Sequence, residues 1–161
     1  MSNPEIERLV QDRSLVRESF EDEQVAGYWA KAMSSLVNAQ ADGLTTDGAY
    51  LMAYTAALQA SLAVLAAHNL KVRGTSNHYM TFHAVQKLNP TMRDCGRKFD
   101  ALRLARHQSI YEPEHDELES MNRLSRAMDA LRVGLPASRA EIVAVRPATA
   151  TMLVPLEFGS T

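Results

Sequence analysis

The residues best suited to chemistry stand together near the end of one predicted helix. Arg103, His107 and Tyr111 are spaced i, i+4 and i+8, so a helix places them on one face, and Arg106 lies on the adjacent face. Two guanidinium groups, an imidazole and a phenol suit a phosphodiester, because the planar fork of arginine binds phosphate bidentately. A metal-free ribonuclease needs little more than a group that activates the ribose 2′-hydroxyl and positive charge on the developing phosphorane.

Arg106 also continues an apolar stripe on the same predicted helix. Met92, Cys95, Phe99 and Leu102 alternate in steps of three and four, and Arg106 is the next member of the series. A guanidinium at a core-facing position is costly to bury unless an anion meets it. Two interpretations follow: a salt bridge to a carboxylate of a neighbouring helix or subunit, or a binding position for phosphate.

A cationic loop precedes another predicted helix. Lys71 and Arg73 lie in the run Lys71 to Asn77, which also contains Gly74, and His78 follows at the start of the helix. Two cations beside the N–H groups that open a helix can hold a phosphate. We therefore predict Arg103, Arg73, Lys71 and His78 as RNA- or nucleotide-binding residues, with an ordinary solvated connection as the alternative for the loop.

Other chemistries lack their residue patterns. A carboxylate-bridged di-iron site needs two Glu-x-x-His motifs, and the single candidate, Glu112 to His115, straddles Pro113 and has no mate. There is no Cys–His set for zinc and no Gly-rich phosphate loop of the Walker or dinucleotide type. Cys95 lies in mid-helix on the apolar stripe, which predicts a core residue and not a nucleophile. The sequence predicts neither a metal nor a cofactor.

Length and composition predict one soluble domain. The chain has 161 residues, a formal net charge of −2 and a pI near 6.2, which argues against nucleic acid wrapping the whole surface but leaves room for a local basic patch. A single cysteine and a charged N-terminus without an apolar leader indicate the reducing cytoplasm. The uncharged run from Ala49 to Ala67 is long enough to cross a membrane, but it is rich in alanine and interrupted by polar residues. We interpret it as a buried central helix, with no membrane association.

Hydrophobic periodicity predicts an all-α fold, an antiparallel up-and-down bundle of five to six helices over residues 1–135. A capping box of Ser19 and Asp22 is expected to begin the second helix. Residues 136–161 are expected to form a short extended tail or hairpin, since β-branched residues alternate there and no other strand is predicted. The predicted helices span about 5–18, 20–41, 46–70, 77–88, 91–111 and 113–134.

The arrangement resembles the HEPN superfamily (higher eukaryotes and prokaryotes nucleotide-binding domains). In these small helical bundles a late helix ends in an Arg–polar–x3–His motif, written R-x4–6-H. The corresponding residues are Arg106, His107 as the polar residue, and Tyr111 at the position of the terminal histidine. The segment from Arg73 to His83 is similar to a Gly…His…Phe stretch that follows the central helix in part of the superfamily. The resemblance covers about residues 25–132.

The resemblance implies a homodimer whose arginine-bearing helix ends face one another across a cleft. It also implies metal-independent cleavage of RNA in a toxin–antitoxin or phage-defence system, with an antitoxin or a nucleotidyltransferase-type protein as cognate partner. Arg106, His107 and Tyr111 would then be the catalytic residues. Tyr111 replaces the histidine of the motif, and a phenol with a pKa near 10 is a poor base, so His107 is expected to supply acid–base chemistry.

Two functions of different classes follow. The first is an RNA- or nucleotide-binding protein that acts as a metal-independent endoribonuclease. The alternative is a non-catalytic, dimeric interaction or regulatory module that has lost nuclease activity, in which Arg106 pairs with a carboxylate across the dimer. A small-molecule-binding bundle that uses the region from His78 to His83 is a third interpretation.

Overall fold

The computed structural model describes residues 3–74 and 77–111 together with residues 126, 142 and 143, without the side chains of residues 46, 91 and 105–111. The described part is a helical bundle with one small pair of strands, which confirms the all-α prediction. Apart from residue 126, the predicted helix over 113–134 lies outside the described residues, as does the tail over 136–161 apart from residues 142 and 143. The elements in chain order are α1 (Pro4–Gln11), β1 (Leu15–Arg17), α2 (Asp22–Ala39), α3 (Thr46–Ala67), β2 (Leu70–Val72), α4 (His78–Gln86) and α5 (Pro90–Tyr111).

Polar side chains fix the helix starts. Four helices begin after a residue whose side-chain oxygen accepts a backbone N–H from the first turn, which satisfies a donor that the helix itself leaves unpaired. The amide of the first of these residues, Asn3, also donates to the carbonyls of Lys87 and Leu88, so the same side chain ties α1 to the end of α4. The four residues are Asn3, Thr45, Asn77 and Asn89.

The second helix begins later than predicted. Glu21 is its N-cap, and the side chain of Gln24 accepts from the Glu21 N–H at 2.9 Å. The predicted capping box of Ser19 and Asp22 is therefore wrong. The observed capping box pairs Glu21 with Gln24, two residues later in the sequence, and it has the same spacing of three residues.

The central helix is α3, which packs against α2, α4 and α5. It is long and apolar enough to cross a membrane, and 67% of its most apolar window is buried inside the protein. That burial confirms the interpretation of this run as the central helix of a bundle. Its core-facing positions are largely alanine, which lets the neighbouring helices approach closely. The alanines with no exposed surface are Ala53, Ala56, Ala57, Ala60 and Ala63, and Ser61 is also fully buried.

The strand pair differs from the sequence prediction. The first helix ends at Gln11 and not near residue 18, because the chain reverses there through Arg13, whose φ of 67° is left-handed. β1 then pairs antiparallel with β2, with Leu15 opposite Val72 and both side chains buried. Lys71, predicted in a loop, is therefore a strand residue, and the loop begins at position 73.

One residue of the predicted tail belongs to the core. Ile142 is 2% exposed and lies in the same apolar cluster as residues from all five helices and both strands. Burial of a large aliphatic side chain removes apolar surface from water and stabilises the fold by about 1.5–3 kcal/mol. The core therefore draws on sequence beyond residue 135.

Candidate functional site

The geometry of the site begins with the antiparallel pairing of α4 and α5. The rings of Phe82 and Phe99 lie 5.9 Å apart, and the guanidinium carbon of Arg103 lies 5.3 Å from the ring centre of Tyr79. Gly96 allows this approach, since a Cβ built there would lie 3.0 Å from the carbonyl oxygen of Phe82. The two helices run in opposite directions, so the N-terminus of α4 is level with the turn of α5 that starts at Arg103.

Arg103 is held by two neighbours. Its Nε donates to Oδ1 of Asp100, one turn earlier on the same helix, at 2.7 Å. Its guanidinium also lies over the ring of Tyr79, within the range of a cation–π contact. The side chain keeps 28% of its surface exposed. Arg103 is thus a positioned and partly engaged cation at the surface between α4 and α5.

Tyr79 and His83 form a ring pair on α4 that the sequence analysis did not single out. Their centroids are 5.5 Å apart and their planes differ by 19°, a stacked arrangement. Tyr79 is 51% exposed. The i, i+4 spacing of the two rings was a usable signal, since residues so spaced are neighbours on a helix surface. No local spacing in the sequence predicts the contact of Arg103 with Tyr79, because the two residues lie on different helices.

His78 opens α4 and is oriented by a buried tyrosine. Its Nδ1 lies 2.8 Å from the hydroxyl of Tyr54 on α3. The Tyr54 ring is buried and packs edge-on against Phe82, which fixes the hydroxyl in the core. When that hydroxyl donates to Nδ1, the neutral imidazole carries its proton on Nε2. His78 and Tyr79 are adjacent in the chain, so the structure brings His78 to the same end of α4 as the Tyr79–Arg103 contact.

Lys71 and Arg73 have contacts on the strand side of the molecule. Lys71 is exposed on β2, and its Nζ lies 3.7 Å from Oε2 of Glu18. The backbone N–H of Arg73 donates to the carbonyl of Ser14 at 3.1 Å, while its side chain is exposed. Both members of the Lys71–Glu18 pair are about half-exposed, and such pairs contribute little to stability. Lys71 is thus paired with a carboxylate, and Arg73 leads into the loop before α4.

The remaining three predicted site residues, Arg106, His107 and Tyr111, belong to the last turns of α5. Their side chains lie outside the described residues. The stripe that leads to position 106 is buried as predicted, with exposures of 3% or less at Met92, Cys95, Phe99 and Leu102. α5 is anchored to the core at this point by the Tyr50 hydroxyl, which donates to the carbonyl of Leu102 at 3.0 Å.

The described residues contain no metal centre and no activated thiol. Within residues 3–74 and 77–111 there is no group of three or more His, Cys, Asp or Glu side chains that could hold a metal ion. Glu112 and His115 lie outside the described residues. Burial raises the pKa of the Cys95 thiol, and the neighbouring Asp94 carboxylate adds to this effect. The thiol is buried, as predicted for a core residue, and a buried neutral thiol is a poor nucleophile.

The arrangement can hold an anion next to an aromatic surface. One end of α4 and the adjoining turns of α5 combine an oriented imidazole, an exposed phenol ring and a fixed guanidinium: His78, Tyr79 and Arg103. The first turn of α4 adds the partial positive charge of a helix N-terminus.

Comparison of the chain with protein-family models, with curated proteins and with solved structures finds no match.

Proposed function

We propose that this chain is a HEPN-like protein that binds RNA or a nucleotide where the start of α4 adjoins the last turns of α5, and that it cleaves RNA without a metal. The observation that carries the proposal is the fixed contact of Arg103 with Tyr79, which joins the two helices at this end. Position 107 lies one helical turn beyond Arg103, about 6 Å along the axis. The proposal therefore assigns the cations and rings of both helices to one surface.

In the proposed reaction Arg106 binds the scissile phosphate and stabilises the charge of the phosphorane. His107 removes the proton from the ribose 2′-hydroxyl as the 2′-oxygen bonds to phosphorus. The bond from phosphorus to the 5′-oxygen breaks, and that oxygen takes up a proton from water. Tyr111 orients or stacks on the substrate. The products are a 2′,3′-cyclic phosphate and a free 5′-hydroxyl.

The binding roles follow from the described contacts. The imidazole of His78, oriented by Tyr54, would donate to phosphate from Nε2 in the tautomer that carries its proton there. Arg103 contributes positive charge from a fixed position, which reduces the entropy lost on binding. Arg73 and Lys71, on the exposed chain before α4, attract the flanking phosphates over a longer range.

The proposal includes a homodimer in the cytoplasm. A site at one helix end covers one side of a phosphodiester, and a second copy related by two-fold symmetry would supply the other side. The proposed cognate partner is an antitoxin or a nucleotidyltransferase-type protein that covers the same cleft.

A second candidate function is a non-catalytic interaction or regulatory module. The observation that favours it is the Arg103–Asp100 pair, because an arginine with a carboxylate partner 2.7 Å away already has a structural role. In this case Arg106 pairs with a carboxylate of the second copy, and no RNA is cut. An arginine paired in this way loses the interaction when either partner is removed.

Incubation of mixed RNA in EDTA with the wild type and with His107→Ala separates the two candidates. Cleavage by the wild type that is lost in His107→Ala is expected for the ribonuclease. His68→Ala is the matched control, because His68 follows α3 and is about 27 Å along that helix from Tyr50, which contacts α5. Absence of cleavage from a protein that elutes as a dimer would favour the non-catalytic module.

A further inference from the structure

We infer that the paired rings of Tyr79 and His83 form a stacking subsite for one unpaired nucleobase of the bound RNA strand. The inference rests on the proposed function and adds to it the part of the substrate that this surface recognises. In the proposed function the end of α5 binds the phosphate and ribose of the RNA. The inference adds that the ring pair on α4 binds a base. No role in the proposed reaction requires either ring.

The exposure of Tyr79 distinguishes it from tyrosines that serve the core. Tyr50 and Tyr54 are buried, and their hydroxyls bond to the Leu102 carbonyl and to His78. Tyr79 contacts two neighbours, yet half of its surface is open. The packing of the core therefore does not account for an aromatic residue at position 79.

The ring pair is preorganised. His83 is stacked on Tyr79 with an angle of 19° between the planes, and both residues lie on the regular helix α4. Arg103, fixed by Asp100, contacts Tyr79 from α5. Rings that are already held in place lose little entropy when a planar ligand stacks on their exposed part. The guanidinium of Arg103, which lies over the Tyr79 ring, favours a ligand that carries phosphate next to its base.

These features together specify a nucleobase in a single strand. Every base has a π face that can stack on tyrosine or histidine, and stacking of this kind tolerates any sequence. In a duplex the base faces are covered by neighbouring base pairs, so only an unpaired base can use the subsite. One stacked base is typically worth about 5- to 150-fold in affinity.

The test measures binding of two labelled 2′-O-methyl oligomers, which lack the hydroxyl needed for cleavage. One is a single strand with bases and the other is an abasic ribose–phosphate oligomer of equal length. Wild type is expected to bind the strand with bases more tightly than the abasic one. Tyr79→Ala is expected to lose about 5- to 150-fold more affinity for the strand with bases than for the abasic oligomer. Tyr79→Phe, which keeps the ring, should stay within about twofold of wild type.

The outcomes separate this inference from the proposed function. Equal binding of the strand with bases by wild type and Tyr79→Ala would overturn the stacking subsite while the RNA-binding proposal stands. Equal losses for both oligomers would also overturn it, because Tyr79 would then act by positioning Arg103. Failure of folded wild type to bind either oligomer would overturn the proposed function and the stacking subsite together.

Discussion

Replacement of Gly96 by alanine tests the close approach of α4 and α5 on which the candidate site depends. A Cβ at position 96 would clash with Cγ of Gln86 and would lie 3.0 Å from the Phe82 carbonyl oxygen and 3.1 Å from the Gln86 nitrogen. The Gln86 side chain can move, but the two backbone atoms move only if α4 shifts. Overpacking of this kind typically costs about 1–3 kcal/mol.

A second effect acts in the opposite direction. Alanine is favoured over glycine in a helix interior by about 0.8–1.0 kcal/mol. We therefore expect Gly96→Ala to lower the free energy of unfolding by about 1 kcal/mol overall. Gly27→Ala is the matched control, because Gly27 is exposed within α2 and a Cβ there meets nothing within 4 Å. This variant should raise the free energy of unfolding by nearly 1 kcal/mol.

The difference between the two variants isolates the packing cost, since the helix propensity gain is common to both. Urea unfolding followed by far-UV circular dichroism should separate them by about 1–3 kcal/mol. For a chain of 161 residues, each kcal/mol corresponds to about 2–4 °C in Tm. If Gly96→Ala stabilises the protein as much as Gly27→Ala does, the two helices are not in close contact and the register of the site is wrong.

Three further predictions concern the core and the turn at residues 12–14. Cys95 should react slowly with a thiol reagent in the native protein and rapidly in denaturant, because burial raises the pKa of its thiol; fast native labelling would contradict its placement. Tyr50→Phe should cost about 0.5–1.5 kcal/mol in urea unfolding, because the Leu102 carbonyl keeps its helical donor but loses the bond from the buried hydroxyl; an unchanged midpoint would contradict that bond. Hydrogen bonds from the Ser14 side chain and backbone N–H lower the pKa of Asp12, so its contribution is present above the unfolded pKa of about 3.9 and is lost as the pH falls through the folded pKa. Unfolding of wild type and Asp12→Asn should therefore differ more at neutral pH than near pH 2, and an equal difference at both would contradict the assignment.

The parts of the fold that the sequence predicted have strong local signals. The stripe of α5 from Met92 to Leu102 follows the helical period closely, and all four of its members are buried. The uncharged run of α3 is too long and too apolar for a surface helix, which identified it as central. Asn77 was expected at the start of the fourth helix and is its N-cap.

The strand pair was missed because two signals competed. Ile6, Leu9 and Val16 fit a helical period, whereas the turn at residues 12–14 depends on the Asp12 carboxylate, which accepts from the Ser14 N–H at 2.9 Å. Aspartate and serine favour turns for this reason. Val16 is 40% exposed, so its apolar character did not indicate a core position.

The candidate site was partly predictable. The Arg103–Asp100 pair has i, i+3 spacing, and the Tyr79–His83 pair has i, i+4 spacing, so both local contacts can be found in the sequence. The contact of Arg103 with Tyr79 joins residues 24 positions apart on different helices. It depends on the register between α4 and α5, which Gly96 and the Phe82–Phe99 contact set through packing alone.

Titration of a single-stranded RNA at several salt concentrations tests the RNA-binding proposal most directly. Arg106→Ala should weaken binding by about tenfold or more, as for loss of a charge-assisted hydrogen bond, and should reduce the slope of log K against log salt by about 0.7. Lys31→Ala, which removes one charge from the exposed face of α2, should change neither quantity, and both variants should keep the helical content of wild type. Equal RNA binding by wild type, Arg106→Ala and Lys31→Ala would contradict the assignment of phosphate to the end of α5.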